Sequence, residues 1–389
     1  MSTPSVSPPV LPPELITAII YEVDDVESLK LCSLVASSLR SRCQRILYST
    51  LTIRMDNCAA LCKLLAESSH IADYVTNLVI RTLYPTMREP DLENFRQILV
   101  KVRNVRRCTL DGQWNRFPMH VPIGHPVVPP VDIPPLVLDF LVRQPLRYLS
   151  LSCVRIPTSM LGRFLTTVPE LSFSSDSVAV QDGVPPTAVQ TPVLHSLFLS
   201  STVKDVGPYV VQPQNMRCLC ALRHLSFQTP GNGWAAELIQ AASRTLQHLH
   251  FSCREHPPLN LPASDGFRTT TARPAVISQT TNVLSSLVFP ETLPALAEVQ
   301  IEQFFADNGI FDPTPYISLI ALLEASLASY STPPRIRWFL VMYDQDAQYT
   351  DFVDAVRRGM PKADSEGRLI MEACAIVASR GKLNKRFRI

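Results

Sequence analysis

The chain has 389 residues, with 36 basic and 34 acidic side chains and a formal charge of +2. That length suits two or three domains or one elongated array, and the near-neutral balance excludes a strong electrostatic pull toward nucleic acid or an anionic membrane. Its 34 prolines outnumber its 12 glycines, whereas ordinary usage is about 5% and 7%; this leaves little room for glycine-rich phosphate cradles and points to many short elements joined by stiff connections.

Met1 to Val10 lacks a basic n-region and an apolar h-region, so it reads as a disordered lead and not as a secretory signal. The longest charge-free stretch of the C-terminal half, Pro274 to Pro290, is about 17 residues and carries Ser, Gln, Thr and Asn, which does not suit a membrane span. The ten cysteines are scattered and are expected as free thiols. These features point to an intracellular protein, cytoplasmic and/or nuclear.

The first predicted helix opens at Leu11-Pro12-Pro13-Glu14-Leu15. Proline is tolerated in a first turn, and Glu14 suits the positive end of the helix dipole. Leu15, Ile16, Ile19, Ile20 and Val23 form an apolar stripe along it. A second helix is predicted over Val26 to Ala36, with Leu29, Cys32 and Val35 on one side. A third runs from Ser37 to about Tyr48, with Leu39, Cys43, Ile46 and Leu47 inward. Three helices this short bury too little to stand alone. The module is expected to lean on a partner, on the next domain, or on both.

The run from Leu11 to Ile53 resembles an F-box, in the F-box-like form common in large fungal families. Leu11-Pro12-Pro13-Glu14-Leu15 matches its opening, and Ile19 and Val23 its first-helix apolar positions. Leu29 with Cys32-Ser33-Leu34-Val35 matches its middle, and Arg45 to Leu51 its exit into a strand. The family usually has tryptophan where this chain has Leu39. The resemblance implies docking onto the Skp-type adaptor of a cullin–RING ubiquitin ligase through Leu11, Pro12, Glu14, Leu15, Ile19, Val23, Leu29, Cys32, Val35 and Leu39. The bland reading of the same residues is a helical cap on the following domain.

Beyond the helices, the pattern L-x-x-L-x-L recurs. It begins at Val75, Val105, Leu146, Leu194, Leu222, Leu246 and Leu296, with the closest copies at 222–227 and 246–251. The two widest gaps are expected to hide copies near Glu170-Leu171-Ser172-Phe173 and Ser286-Leu287-Val288-Phe289. Helical stretches precede the strands, as at Pro135 to Leu141 and Trp234 to Ala242. One strand and one helix per repeat predict a curved solenoid with a parallel concave sheet. The asparagine or cysteine that usually closes a leucine-rich unit is missing, so the array should be irregular. An ordinary α/β domain with L-x-L strands is the alternative.

Proline-rich stretches at Phe117–Pro135, Gln181–Pro192, Pro208–Pro213 and His256–Pro274 read as loops or insertions. Arg335 to Met342 is the last predicted strand. Asp351–Val356 and Leu369–Val377 are then expected as a helical C-terminal cap, followed by a basic tail from Arg380 to Arg388. The expected fold is thus α/β: a helical module over 11–53, a repeat array over 54–345 and a helical cap over 346–389.

Strand periodicity places Arg107, Tyr148, Phe198, His224, His248, His250, Glu298 and Gln300 on the concave face. A mixture of aromatic, histidine and charged residues suits protein recognition, although a solvated strand face is the plain alternative. The three histidines also raise a metal site, but no second ligand pair at zinc spacing accompanies them. No P-loop, G-x-S-x-G elbow or H-E-x-x-H occurs, and Gly231-Asn232-Gly233 lacks a third glycine at 236. No cofactor, nucleic acid or membrane partner is expected. The resemblance implies a substrate receptor of an SCF-type ligase that holds the Skp-type adaptor, and with it the cullin, at one end and an unknown target at the other. Two further readings stay open: a scaffold of the same build outside any ligase, and an α/β enzyme whose site escapes motif reading.

Overall fold

The computed structural model describes residues 11–35, 37–81, 89–112, 130–174, 177–183, 192–200, 205–228, 234–254, 290–305, 314–342, 348–376 and 383–388. The lead over residues 1–10, the insertion over 256–274 and the expected strand near 286–289 lie outside these ranges. The chain divides into two compact units, 1–111 with 134–146, and 112–133 with 147–389.

The first unit begins with three helices, α1 (Pro13–Tyr21), α2 (Val26–Val35) and α3 (Ser37–Leu47). The Ile16 N–H donates to the Pro12 carbonyl at 3.1 Å, closing the first turn around the two prolines. At the start of α2, the Asp25 carboxylate accepts a hydrogen bond from the Ser28 N–H at 2.8 Å, which satisfies one of the donors a helix start leaves unpaired. Hydrogen bonding to Ser28 also holds the Asp25 carboxyl below its usual range. Ile20, Leu29 and Cys43 form a small core, with Ile16, Val23, Cys32, Leu39, Ile46 and Leu47 packed against it.

Strands β1 (Thr50–Ile53), β2 (Asn77–Ile80) and β3 (Arg107–Asp111) follow, with α4 (Cys58–Glu67), α5 (His70–Tyr74) and α6 (Glu89–Lys101) between them and α7 (Pro135–Arg143) after them. The three strands are parallel, aligning Leu51 with Leu78 and Cys108, and Ile53 with Ile80 and Leu110. All six side chains are buried. Gln144, just past α7, accepts from the Val105 N–H at 3.2 Å and donates to the Val102 carbonyl at 3.4 Å. Helix α3 is tied to α5 by the Arg45 guanidinium 5.5 Å from the centre of the Tyr74 ring, and by Ser41–Tyr74 and Gln44–His70 hydrogen bonds. The helical module therefore leans on the strand-bearing part of its own unit, as its size requires.

The second unit carries the longer row. Its strands are β5 (Tyr148–Ser152), β7 (Glu170–Ser174), β9 (Ser196–Leu199), β10 (His224–Gln228), β11 (His248–Arg254), β12 (Glu298–Phe305), β13 (Arg335–Met342), β14 (Leu369–Ile376) and β15 (Leu383–Arg388). From β5 to β14 each pairs with the next in parallel, and only β15 is antiparallel. Parallel neighbours need a crossover, which α8 (Thr158–Thr167), α9 (Val206–Val210), α10 (Trp234–Ala242), α11 (Thr314–Ala328), α12 (Gln348–Gly359) and α13 (Pro361–Ser365) help to supply. A second, three-stranded parallel sheet joins β4 (Val131–Asp132), β6 (Val154–Pro157) and β8 (Val178–Val180).

The register explains the repeat. One buried row runs Leu149, Leu171, Leu197, Leu225, Leu249, Val299, Ile336, and the next Leu151, Phe173, Leu199, Phe227, Phe251, Ile301, Trp338. These are the last two apolar positions of each L-x-x-L-x-L copy. The copy expected near Glu170 is strand β7. Phe227 and Phe251 meet edge to face, 4.6 Å apart at 85°, a favoured aromatic geometry.

Two expectations are corrected. Leu369–Ile376 is strand β14, not a cap helix, and part of the expected basic tail is strand β15. The run Leu369 to Val377 is apolar nearly throughout, and periodicity cannot separate a buried strand from a buried helix in such a run. The open edge of β13 decides the outcome, since its backbone groups need a partner. The Ile336 N–H donates to the Arg368 carbonyl at 3.0 Å, and the Arg368 guanidinium to the Pro334 carbonyl at 3.1 Å. The helical part of the expected cap survives in α12, which contains Asp351 to Val356. The proline stretches also differ from simple loops: Pro208 lies inside α9, and Val131–Asp132 within the first stretch forms β4.

Candidate functional site

Two surfaces emerge, one in each unit. In the first unit α1 and α2 sort their apolar residues onto opposite sides. Ile16, Ile20, Val23, Leu29 and Cys32 turn to the small core. Leu11, Leu15 and Ile19, spaced four apart, remain about half exposed at 51%, 52% and 55%. Leu31, Leu34 and Val35 on α2 are more exposed still, at 63%, 74% and 81%. Exposed apolar side chains grouped in this way mark partner surfaces.

Of the residues the resemblance assigns to adaptor binding, Leu11, Pro12, Glu14, Leu15, Ile19 and Val35 are exposed. Leu29 is buried, and Val23, Cys32 and Leu39 are half-buried against the core. Val35 parts from Leu29 because each three-residue step falls about 60° short of a full turn, so two steps carry Val35 about 120° around the helix. Leu31 and Leu34 were missed as surface residues. Their signal is the i, i+3, i+4 stripe Leu31, Leu34, Val35, which competes with the inward Leu29 and Cys32.

The second surface is the outward face of the parallel row in the second unit. Register puts Ser196, His224, His248, Glu298 and Arg335 on one line across β9 to β13. Phe198, Ser226, His250, Gln300 and Arg337 form the next. Tyr148 sits half-buried on β5 of the same unit. Arg107 lies exposed on β3 of the first unit.

The His224 and His248 rings stack, 4.6 Å apart and 10° from parallel. Burial against the sheet, then proximity to His248, lowers the His224 pKa, opposed by a hydrogen bond to the His195 backbone and by Glu170. One row on, the Ser226 hydroxyl and His250 Nδ1 are 2.6 Å apart. The other ring nitrogen of His250, Nε2, lies 3.5 Å from the Glu302 carboxylate. Arg337 stands between two half-buried carboxylates, with Nε 3.8 Å from Glu298 and Nη1 4.0 Å from Glu372. The strands thus bring together His224, His248, His250, Glu298 and Gln300 as periodicity predicts, with Phe198 beside them.

Sequence reading missed Ser226, Glu302, Arg337 and Glu372. Ser226 was legible by laying 222–227 over 246–251, which sets it opposite His250. Glu302 lies in the row beyond Gln300, and Glu372 depended on β14 being a strand. Serine, histidine and glutamate are the side-chain types of a nucleophile, base and orienter. An acyl-transfer site also needs N–H donors aimed at a developing oxyanion, and in β10 to β12 strand neighbours on both sides take up backbone N–H groups. What the face offers is a firm polar surface with ring faces, carboxylates and a shared guanidinium. Among the described residues, no group of three or more His, Cys, Asp or Glu side chains is placed to hold a metal ion.

Cys32, Cys43, Cys58, Cys62, Cys108, Cys218 and Cys220 carry free thiols. Burial pushes the Cys58 pKa up to about 11 and that of Cys108 higher still. Among the described residues no helix is long and apolar enough to cross a membrane. No protein-family model matches the chain, and no curated protein matches it.

Proposed function

We propose that the chain is a non-catalytic substrate receptor of an SCF-type cullin–RING ubiquitin ligase, working inside the cell, in the cytoplasm and/or nucleus. The F-box-like helices would hold the Skp-type adaptor, and through it the cullin. The strand rows, read as an irregular leucine-rich-repeat solenoid, would hold a target protein. The gain is one of proximity: holding both partners on one chain raises the effective concentration of the target at the ligase.

The observation that carries this reading is the sorting of α1 and α2. Ile20 and Leu29 are spent on the core while Leu11, Leu15, Ile19, Leu31 and Leu34 stay exposed. A cap made only to cover its neighbour has no use for an apolar outer face. The regular spacing of β7, β9, β10 and β11, whose first residues are 170, 196, 224 and 248, supports the repeat reading.

The test is capture of a recombinant Skp-type adaptor by the purified full chain. Retention by the wild type and loss in Leu15→Asp are expected. A folded wild type that retains no adaptor removes the ligase role. It would favour the second reading, a scaffold of the same architecture outside any ligase. One observation favours that alternative: Leu39, in place of the usual tryptophan, is packed against the helical core and presents no large ring to a partner.

A further inference from the structure

The polar face of the second unit holds three histidines on two adjacent strands, and their surroundings differ in sign. His224 and His248 are register partners whose rings stack. The charged and titratable groups around this pair are Glu170 on β7, Arg223 beside His224, His250 on β11, Glu298 on β12 in register with His248, and Arg335 on β13 beyond it. From β9 the neighbours are Ser196 and the His195 backbone, neither of which titrates in this range. His250 lies instead between the Ser226 hydroxyl and the Glu302 carboxylate.

Two neutral imidazoles stack comfortably. Two imidazolium rings at this separation repel, the more so where the sheet excludes water from one side.

We propose that the His224–His248 stack is a proton-sensitive latch on this face: neutral rings hold β10 and β11 to one outward shape, and acidification parts them. The role in capture rests on reading this face as the target surface, but the latch is testable without a target. The lowered His224 pKa sets the direction. An unfolded histidine takes up its proton near pH 6.5, while the folded His224 resists until lower pH. The stabilisation is complete above that value and is lost as pH falls below it.

Hydrogen exchange of the full chain at pH 7.5 and 5.5, corrected for intrinsic rates, reads the latch directly. Peptides covering 224–228 and 248–254 should lose protection several-fold at the lower pH, while those covering 50–53 and 77–80 in the first unit keep theirs. The double variant His224→Phe/His248→Phe keeps flat rings without titration and should show no such loss. Equal protection of the wild type at both pH values, or the same loss in the double variant, overturns the proposal. A second measurement covers the case in which that variant folds poorly: His248→Gln should raise the titration midpoint of His224 observed by NMR, and an unmoved midpoint also overturns it. Adaptor capture is scored separately, so failure of the latch and failure of the receptor reading are distinct results.

Discussion

Ile19 and Ile20 are adjacent in sequence and opposite in role, which makes them a sharp test of the N-terminal helices. Ile20 is 4% exposed and packs with Leu29 and Cys43, whereas Ile19 is 55% exposed. Truncating Ile20 to alanine removes buried carbons from a core of three buried residues, and such changes cost about 2–5 kcal/mol. A three-helix module has little stability to lose, so Ile20→Ala should melt α1 to α3. Ile19→Asp changes an exposed position, where effects stay within about 0.5 kcal/mol, and the helices should persist. At the same time it sets a charge at the C-terminal end of the Leu11, Leu15, Ile19 stripe. If that stripe is an interface centre, the loss should reach about 2 kcal/mol, roughly a thirtyfold weakening. Hydrogen exchange over residues 13–47 reports the folding of each variant, and titration with a Skp-type adaptor reports the binding. Protection lost equally in both variants would refute the assignment of inner and outer faces. A folded Ile19→Asp that binds the adaptor like the wild type would refute the interface.

Other consequences of the packing are equally direct. Phe227→Ala and Phe251→Ala should each cost about 3–5 kcal/mol, with a coupling of about 0.5–1.5 kcal/mol between them in a double-mutant cycle by urea denaturation; additive losses would deny the edge-to-face contact. Gly112→Ala should lower the melting temperature markedly, because the added Cβ would lie 2.4 Å from the Cys153 carbonyl oxygen, a backbone atom that cannot swing aside. Alkylation by iodoacetamide at pH 7.5 should modify the exposed Cys220 well before Cys58 and Cys108, whose raised pKa values leave almost no thiolate; mass spectrometry of early time points decides it, and early labelling of Cys108 would contradict its burial.

Much of the fold was legible because apolar spacing and backbone geometry agree. The stripe in α1, the proline pair at its start and the recurring L-x-L strands each repeat a local rule many times over. Residues with only local constraints were therefore placed well: Leu39, Cys43, Ile46 and Leu47 face inward, and every strand proposed from the repeat between 75 and 301 that falls on described residues is a strand. The face of α2 was misread at Val35 because two apolar stripes overlap on one short helix, and only packing against α1 and α3 chose between them. The candidate polar site was half legible. His224, His248, His250, Glu298 and Gln300 follow from strand parity, while Ser226, Glu302, Arg337 and Glu372 join them only through the pairing of separate strands.

By itself the amino-acid order determined the period of the elements, the identity of the buried rows and the near-neutral, proline-rich character of their connections. These are properties of neighbours along the chain, where 3.6-residue and two-residue repeats act directly. The tertiary structure decided what depends on partners distant in sequence. It made Leu369–Ile376 a strand because β13 had an edge to fill, stacked His224 on His248 because β10 and β11 came into register, and turned Leu29 inward while leaving Leu31 and Leu34 outside. In each case burial and hydrogen-bond satisfaction, which no local window contains, selected among conformations that the local sequence left open.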